Sequence, residues 1–189
     1  GEIGGNIKIK AGSSGLENFD EYEVLSNQIS ALNKAIDETD DAVENLEGYI
    51  DGAFADGIIS EAEAKAIEKY INTVNNTKAG VEATYTKLYS NAYLSGTPKT
   101  NLLNAKITLF GAIDDLLAAI NTAIADGVTT TAEKNTVDSK FTAFNTALSS
   151  FNTAVEAANK AIQDTLKGYS DENKAELEVL SNQISAQVT

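Results

Sequence analysis

The stretch ADGIISEAE, Ala55–Glu63, returns 70 positions later as ADGVTTTAE, Ala125–Glu133. Each copy carries the same two instructions. Ala-Asp-Gly stops a helix, because Gly accepts the left-handed backbone with which helical runs end. Ser60 with Glu63, and Thr130 with Glu133, then have the spacing of a capping box, which starts a new helix. A stop followed so closely by a start predicts two antiparallel helices joined by a short turn. Its recurrence predicts two such hairpins.

The flanking segments supply the helices. From about Leu16 to Ala55 the seam Tyr22, Leu25, Ile29, Leu32, Ile36, Thr39, Val43, Leu46, Ile50 advances in steps of three and four, the spacing of a coiled coil. After the first turn, Ile67, Ile71, Val74, Val81, Tyr85 and Leu88 form the inner face of a second helix expected to reach about Leu94, with Lys78 interrupting. Ser95, Gly96 and Pro98 are expected to end it. A third helix, about Thr100 to Ala125, carries Leu102, Leu109, Ile113, Leu116 and Ile120; under the 70-residue shift Val43, Leu46 and Ile50 fall on the last three. The fourth, about Thr131 to Lys167, has the seam Val137, Phe141, Phe144, Leu148, Phe151, Val155, Ala158, Ile162. Interior glycines at 48, 80 and 111 are expected at close helix contacts or bends, since each weakens a helix by up to about 1 kcal/mol relative to Ala.

A second repeat has a longer period. EVLSNQISA occurs at Glu23–Ala31 and again at Glu178–Ala186, which places Leu180 and Ile184 where Leu25 and Ile29 stand, with Gln187 in place of Leu32. A fifth helix starting after Gly168 is therefore expected to open the next unit of an array. The expected organisation is a linker or the end of a preceding domain at 1–15, a duplicated hairpin unit at 16–167 (16–94 and 100–167), and the start of a further helical unit at 168–189. The fold class is all-α: elongated antiparallel helical hairpins with heptad seams, as a four-helix bundle or spectrin-like segments, behind a short N-terminal extended segment whose alternating Ile7-Lys8-Ile9-Lys10 reads as a strand.

Composition narrows function mainly by exclusion. The 189 residues contain no His and no Cys, which removes imidazole and thiolate zinc sites and the Ser-His and Cys-His nucleophile pairs. The basic residues are all Lys, and the net charge is −14, so phosphate backbones are repelled and no guanidinium is present to read them. Nucleic acid is not an expected partner. No apolar run approaches the roughly 20 residues of a membrane span, so no membrane insertion is expected. With no Met and Gly1 in first place, the chain reads as a segment of a longer polypeptide.

Three groups of side chains invite a functional reading. Tyr85, Tyr89 and Tyr93, spaced four apart, would line one helix face and form either core packing or a platform for a glycan or a partner protein. Asp56-Gly57 with Glu63, and Asp126-Gly127 with Glu133, match positions five, six and twelve of a calcium loop. Gly52 or Thr122 and Phe54 or Ile124 would then occupy positions one and three, which cannot supply the carboxylates, so a turn and capping box is the expected reading and no metal site is assigned. Asp37, Glu38, Asp40, Asp41, Glu44 and Glu47 form an acidic run on outer heptad positions, read as a solvated face rather than a carboxylate pair for glycoside hydrolysis. Neither catalytic nor cofactor-binding residues are assigned.

ADGIISEAEAKAIEKYI, AIADGVTTTAEKNTVDSKFTAFNTAL, FNTAVEAANKAIQDTLKGYSD and EVLSNQISAQVT together resemble helical regions of phage and prophage tail proteins, specifically the minor structural, tail-tip or tail-fibre polypeptides of long-tailed phages of Gram-positive bacteria. The resemblance covers about 16–189. It implies a structural module of the virion whose partners are other tail-protein segments or subunits, met through helix packing, with host-surface contact made by neighbouring domains. Some such polypeptides carry peptidase or glycan-cleaving domains elsewhere, but none of their catalytic motifs is present here. The alternative from another class is a binding module of a tail fibre or bacterial surface adhesin that recognises a glycan or protein.

Overall fold

The computed structural model describes residues 19–188, so the expected extended segment at 1–15, including Ile7–Lys10, lies outside the described residues. Four helices account for nearly all of the described chain: α1 (Phe19–Ala53), α2 (Glu61–Tyr89), α3 (Gly96–Ile124) and α4 (Thr131–Val188). They run alternately up and down. α1 packs chiefly on α2 and α3 chiefly on α4, and the two hairpins meet along the α1–α4 and α2–α3 edges. The result is an antiparallel four-helix bundle, all-α as the seams require.

One continuous core runs through it. On α1, Leu32 and Leu46 are fully buried; so are Ile67 and Leu88 on α2, Leu102, Leu109, Ile113, Leu116 and Ile120 on α3, and Phe144 and Phe151 on α4. Each such side chain contributes roughly 1.5–3 kcal/mol by leaving water, so the seams account for the bundle without a ligand. Thr39 is the exception on α1: it is 0% exposed and its hydroxyl has no hydrogen-bond partner. The second hairpin has Leu109 at the corresponding position. α3 is long and apolar enough to cross a membrane by length and composition alone, but here its seam leucines and isoleucines face the core.

The two ADG turns lie at the same end of the bundle and clasp each other. Ile58 and Val128 form an antiparallel bridge, Ile59 N–H donates to Gly127 O at 2.8 Å, and Thr129 N–H donates to Gly57 O at 2.9 Å. Because the paired residues are themselves 70 apart, the clasp is reciprocal and marks a local two-fold relation between the hairpins. Gly57 (φ 75°) and Gly127 (φ 79°) hold the left-handed conformation that an L side chain resists. Both capping boxes form. Ser60 Oγ accepts from Glu63 N–H and Glu63 Oε1 from Ser60 N–H, each at 3.0 Å, and Thr130 with Glu133 repeats the exchange at 3.1 and 3.0 Å.

Elsewhere the structure differs from the sequence expectations. α2 stops at Tyr89 rather than near Leu94, and α3 starts at Gly96 rather than near Thr100, behind Ser95 as its N-cap. Pro98 therefore sits in the first turn of α3, where its missing N–H needs no partner, instead of terminating α2. Gly48 and Gly111 mark no close contact, since a Cβ at either would meet nothing within 4 Å. Most consequential, no fifth helix begins after Gly168. α4 runs unbroken for 58 residues, about 87 Å at 1.5 Å per residue.

The opposite end of the bundle, here called the base, gathers the start of α1, the 90–95 connection and the Tyr169 region of α4; Tyr93 and Tyr169 meet edge to face at 6.0 Å. Beyond it α4 emerges. Leu166, Ser170 and Asn173 are still buried, whereas Val179 and Ile184 are 56% and 45% exposed.

Candidate functional site

Tyr85, Tyr89 and Tyr93 do not share one helix face. The first two stack on α2, with ring centroids 5.6 Å apart and planes inclined by 25°. Tyr93 lies past the helix end, because Asn91 Oδ1 accepts its backbone N–H at 2.9 Å and turns the chain. The expected line of three is thus a pair and an outlier.

The pair is engaged within the bundle. Tyr85 is 5% exposed and tilts against the buried Phe151 ring of α4 at 6.3 Å. From α3, Lys106 Nζ stands 5.3 Å above the Tyr85 ring and 4.6 Å above Phe110 while pairing with Glu82 at 2.7 Å. Lys99 Nζ covers Tyr89 at 4.5 Å. Lys78, which interrupted the α2 seam, pairs with Asp114 at 2.7 Å and lies 5.0 Å over Phe110. Two lysines at seam positions of α2 and α3 therefore lay their apolar stems along aromatic rings and send their charges to carboxylates across the α2–α3 edge. Sequence reasoning saw Lys78 as an interruption and missed Lys106, though its place between Leu102 and Leu109 was the available signal. Burial, then the proximity of Tyr89 and Glu82, pushes the Tyr85 hydroxyl up to about 12, so it remains a phenol at neutral pH. That hydroxyl also has no hydrogen-bond partner.

Tyr93 borders a cleft at the base, about 320 Å³, lined with Glu21, Val24, Gln28 and Asn91 among others. Asn91 Nδ2 donates to Gln28 Oε1 at 2.9 Å, tying the start of α1 to the end of α2. Burial, followed by Glu21 and Tyr169, raises the Tyr93 hydroxyl above its ordinary value. A groove of about 470 Å³ between α3 and α4, lined by Gly111, Ala112, Ala143 and Ala147 among others, was not foreseen. Its small side chains were the signal.

The remaining candidates have structural occupations. Asp56 and Asp126 each accept the backbone N–H two residues on, from Ile58 and Val128, at 3.0 and 3.1 Å. With Glu63 and Glu133 taken by their caps, the carboxylates of the calcium-like spacing serve the turns, and among the described residues no three potential ligands gather around a metal position. Along the acidic run, Asp37, Glu38, Asp41 and Glu44 are exposed, and Asp40 and Glu47 are half-buried. Burial raises the Asp40 carboxyl above its usual range, and Glu44, Asp41 and Asp37 add to it; burial also raises Glu47, with Asp51, Asp138 and Glu44 adding.

What these features define is an antiparallel bundle of two related hairpins, with a lysine–aromatic seam between them and a helix that outruns the core. Comparison with protein families, with curated proteins and with solved structures gave no match to the chain.

Proposed function

We propose that this chain is a structural spacer and assembly module of a phage or prophage tail protein, resident in the virion and carrying no catalytic activity in this segment. One observation carries the spacer reading: α4 leaves the bundle as a continuous helix and bears on its projecting end a second copy of the nine residues that open α1. Such a helix sets a length and offers a joint. The tail assignment rests on the resemblance of 16–189 to tail-protein helices. Partners on this reading are other tail-protein segments or subunits met through helix packing, with neighbouring domains making any host-surface contact. Its partners include neither nucleic acid nor membrane, in keeping with the −14 net charge and the absence of Arg.

Small-angle scattering tests the spacer. A chain containing α4 intact has a maximum dimension of at least about 85 Å, against about 42 Å for a compact sphere of this many residues; the smaller value would overturn the reading. Mass spectrometry of purified tails from the source prophage tests the location, and tails lacking the chain would remove it from the virion. Specific glycan binding lost on Tyr89→Ala would replace the spacer with the alternative, a binding module.

A further inference from the structure

The same nine residues occupy two environments in this chain. In the first, Leu25 is 2% exposed, and together with Ile29, Ser26 and Ser30 it faces Asn159 and Gln163 of α4. On the neighbouring side of that turn, Val24 and Gln28 lie beside Ser90, Asn91 and Tyr93, where Asn91 Nδ2 donates to Gln28 Oε1. The sequence EVLSNQISA therefore fits a groove with two walls: the end of one helix, carrying an amide donor, and the stripe of another, carrying amides beside buried Ile162 and Leu166. In the second environment, Leu180 is only half-buried and Ile184 is 45% exposed. Unbroken helix through Gly168 keeps these two in the same i, i+4 relation as Leu25 and Ile29.

We infer that the projecting end of α4 is a second occupant for the groove of another bundle of this same construction, docking base against base in the place of Glu23–Ala31 whenever that segment leaves it. Direction supports the base-to-base geometry: α4 leaves its own bundle at the base, and α1 enters the groove from the base. Gln183 then stands where Gln28 accepts the amide donor, and Leu180 fills the Leu25 site. Gln187, in place of the fully buried Leu32, limits the apolar match to the nine repeated residues. This inference deepens the spacer reading and rests on it. In the native chain the groove is already filled by the copy attached in cis, so its neighbour's copy gains access only where that first copy is disabled.

Leu25→Asp disables it. The chain has no Cys, so adding Gln163→Cys and Ser185→Cys reports contact between the second copy and the α4 wall. Within one chain the two cysteines stand about 33 Å apart on a continuous helix, far beyond the reach of a disulfide, so any bridge joins two molecules. The expected result is a disulfide-linked dimer of twice 20.0 kDa, reduced by about tenfold or more when Leu180→Asp is added, the equivalent of one buried leucine. A helical Leu25→Asp chain that stays monomeric and unlinked overturns the inference. Should Leu25→Asp lose its helical circular dichroism, Leu25→Ala serves instead, and the same unlinked monomer is decisive. Failure of docking with an extended native chain in scattering leaves the spacer reading intact; a compact native chain defeats that reading whatever the variants do.

Discussion

Ala in place of Gly57 and of Gly127 distinguishes two turns that look alike in sequence. Both glycines sit at positive φ, 75° and 79°, so each substitution pays the left-handed penalty of about 1 kcal/mol. Their surroundings differ. A Cβ at Gly57 would lie 3.3 Å from Thr129 O, whereas one at Gly127 would lie 3.6 Å from Ile59 O, an ordinary contact. The neighbour of Gly57 is backbone within the clasp, so relieving the contact strains Thr129 N–H to Gly57 O at 2.9 Å. Gly57→Ala is therefore expected to lose about 1.5–2.5 kcal/mol and Gly127→Ala about 1 kcal/mol. In thermal melts followed by circular dichroism these become falls of about 4–8 °C and about 2–4 °C. Equal losses, or a larger loss at Gly127, would refute the clasp geometry.

Phe151→Ala, which removes a fully buried ring from the centre of α4, should lower stability by about 3–5 kcal/mol in urea titrations, while Ile184→Ala on the projecting end changes it by less than about 0.5 kcal/mol. Thr39→Val should raise stability by about 1 kcal/mol, because it replaces a buried hydroxyl without a partner by a methyl group; a loss in the same titration would mean the hydroxyl is satisfied. The pH dependence follows from Asp40 and Glu47, whose carboxyl pKa values are raised in the folded state. The folded chain holds those protons more tightly than the unfolded one, so stability rises as pH falls from neutral through the folded pKa values and levels off below the unfolded ones. Asp40→Asn with Glu47→Gln should raise the neutral-pH melting temperature and flatten that rise, and an unchanged profile in melts across the acidic range would contradict it.

Much of the bundle was legible because its information is local. Seam residues such as Ile36, Ile113 and Phe144 repeat at heptad spacing, and the ADG turns carry their caps within nine residues. What was misread depends on contacts distant in sequence. The Gly168 position weakens a helix by up to about 1 kcal/mol when taken alone, but Leu166, Ser170 and Asn173 on either side are buried, and Lys167 reaches Asp171 across it at 2.7 Å. Packing outweighs propensity there. Ser95-Gly96-Pro98 was read as a stop, although the same residues suit a helix start, and only the 90–95 connection decides between them. The tyrosine spacing failed for a similar reason: Asn91 turns the chain through its side chain before Tyr93 is reached. No local pattern shows that Lys106 lies over Tyr85, or that the two turns bridge each other, since both require the hairpins to be side by side.

Both the spacer length and the docking segment depend on the continuity of α4 from the core into the projecting end. Spin labels on cysteines introduced at the exposed Ser150 and Ser181 would measure it by pulsed electron resonance, free of competing thiols. An unbroken helix predicts a single narrow distance near 46 Å. A distance well below that, or a broad distribution, would show that the helix breaks near Gly168 and would remove both the spacer length and the projected docking segment.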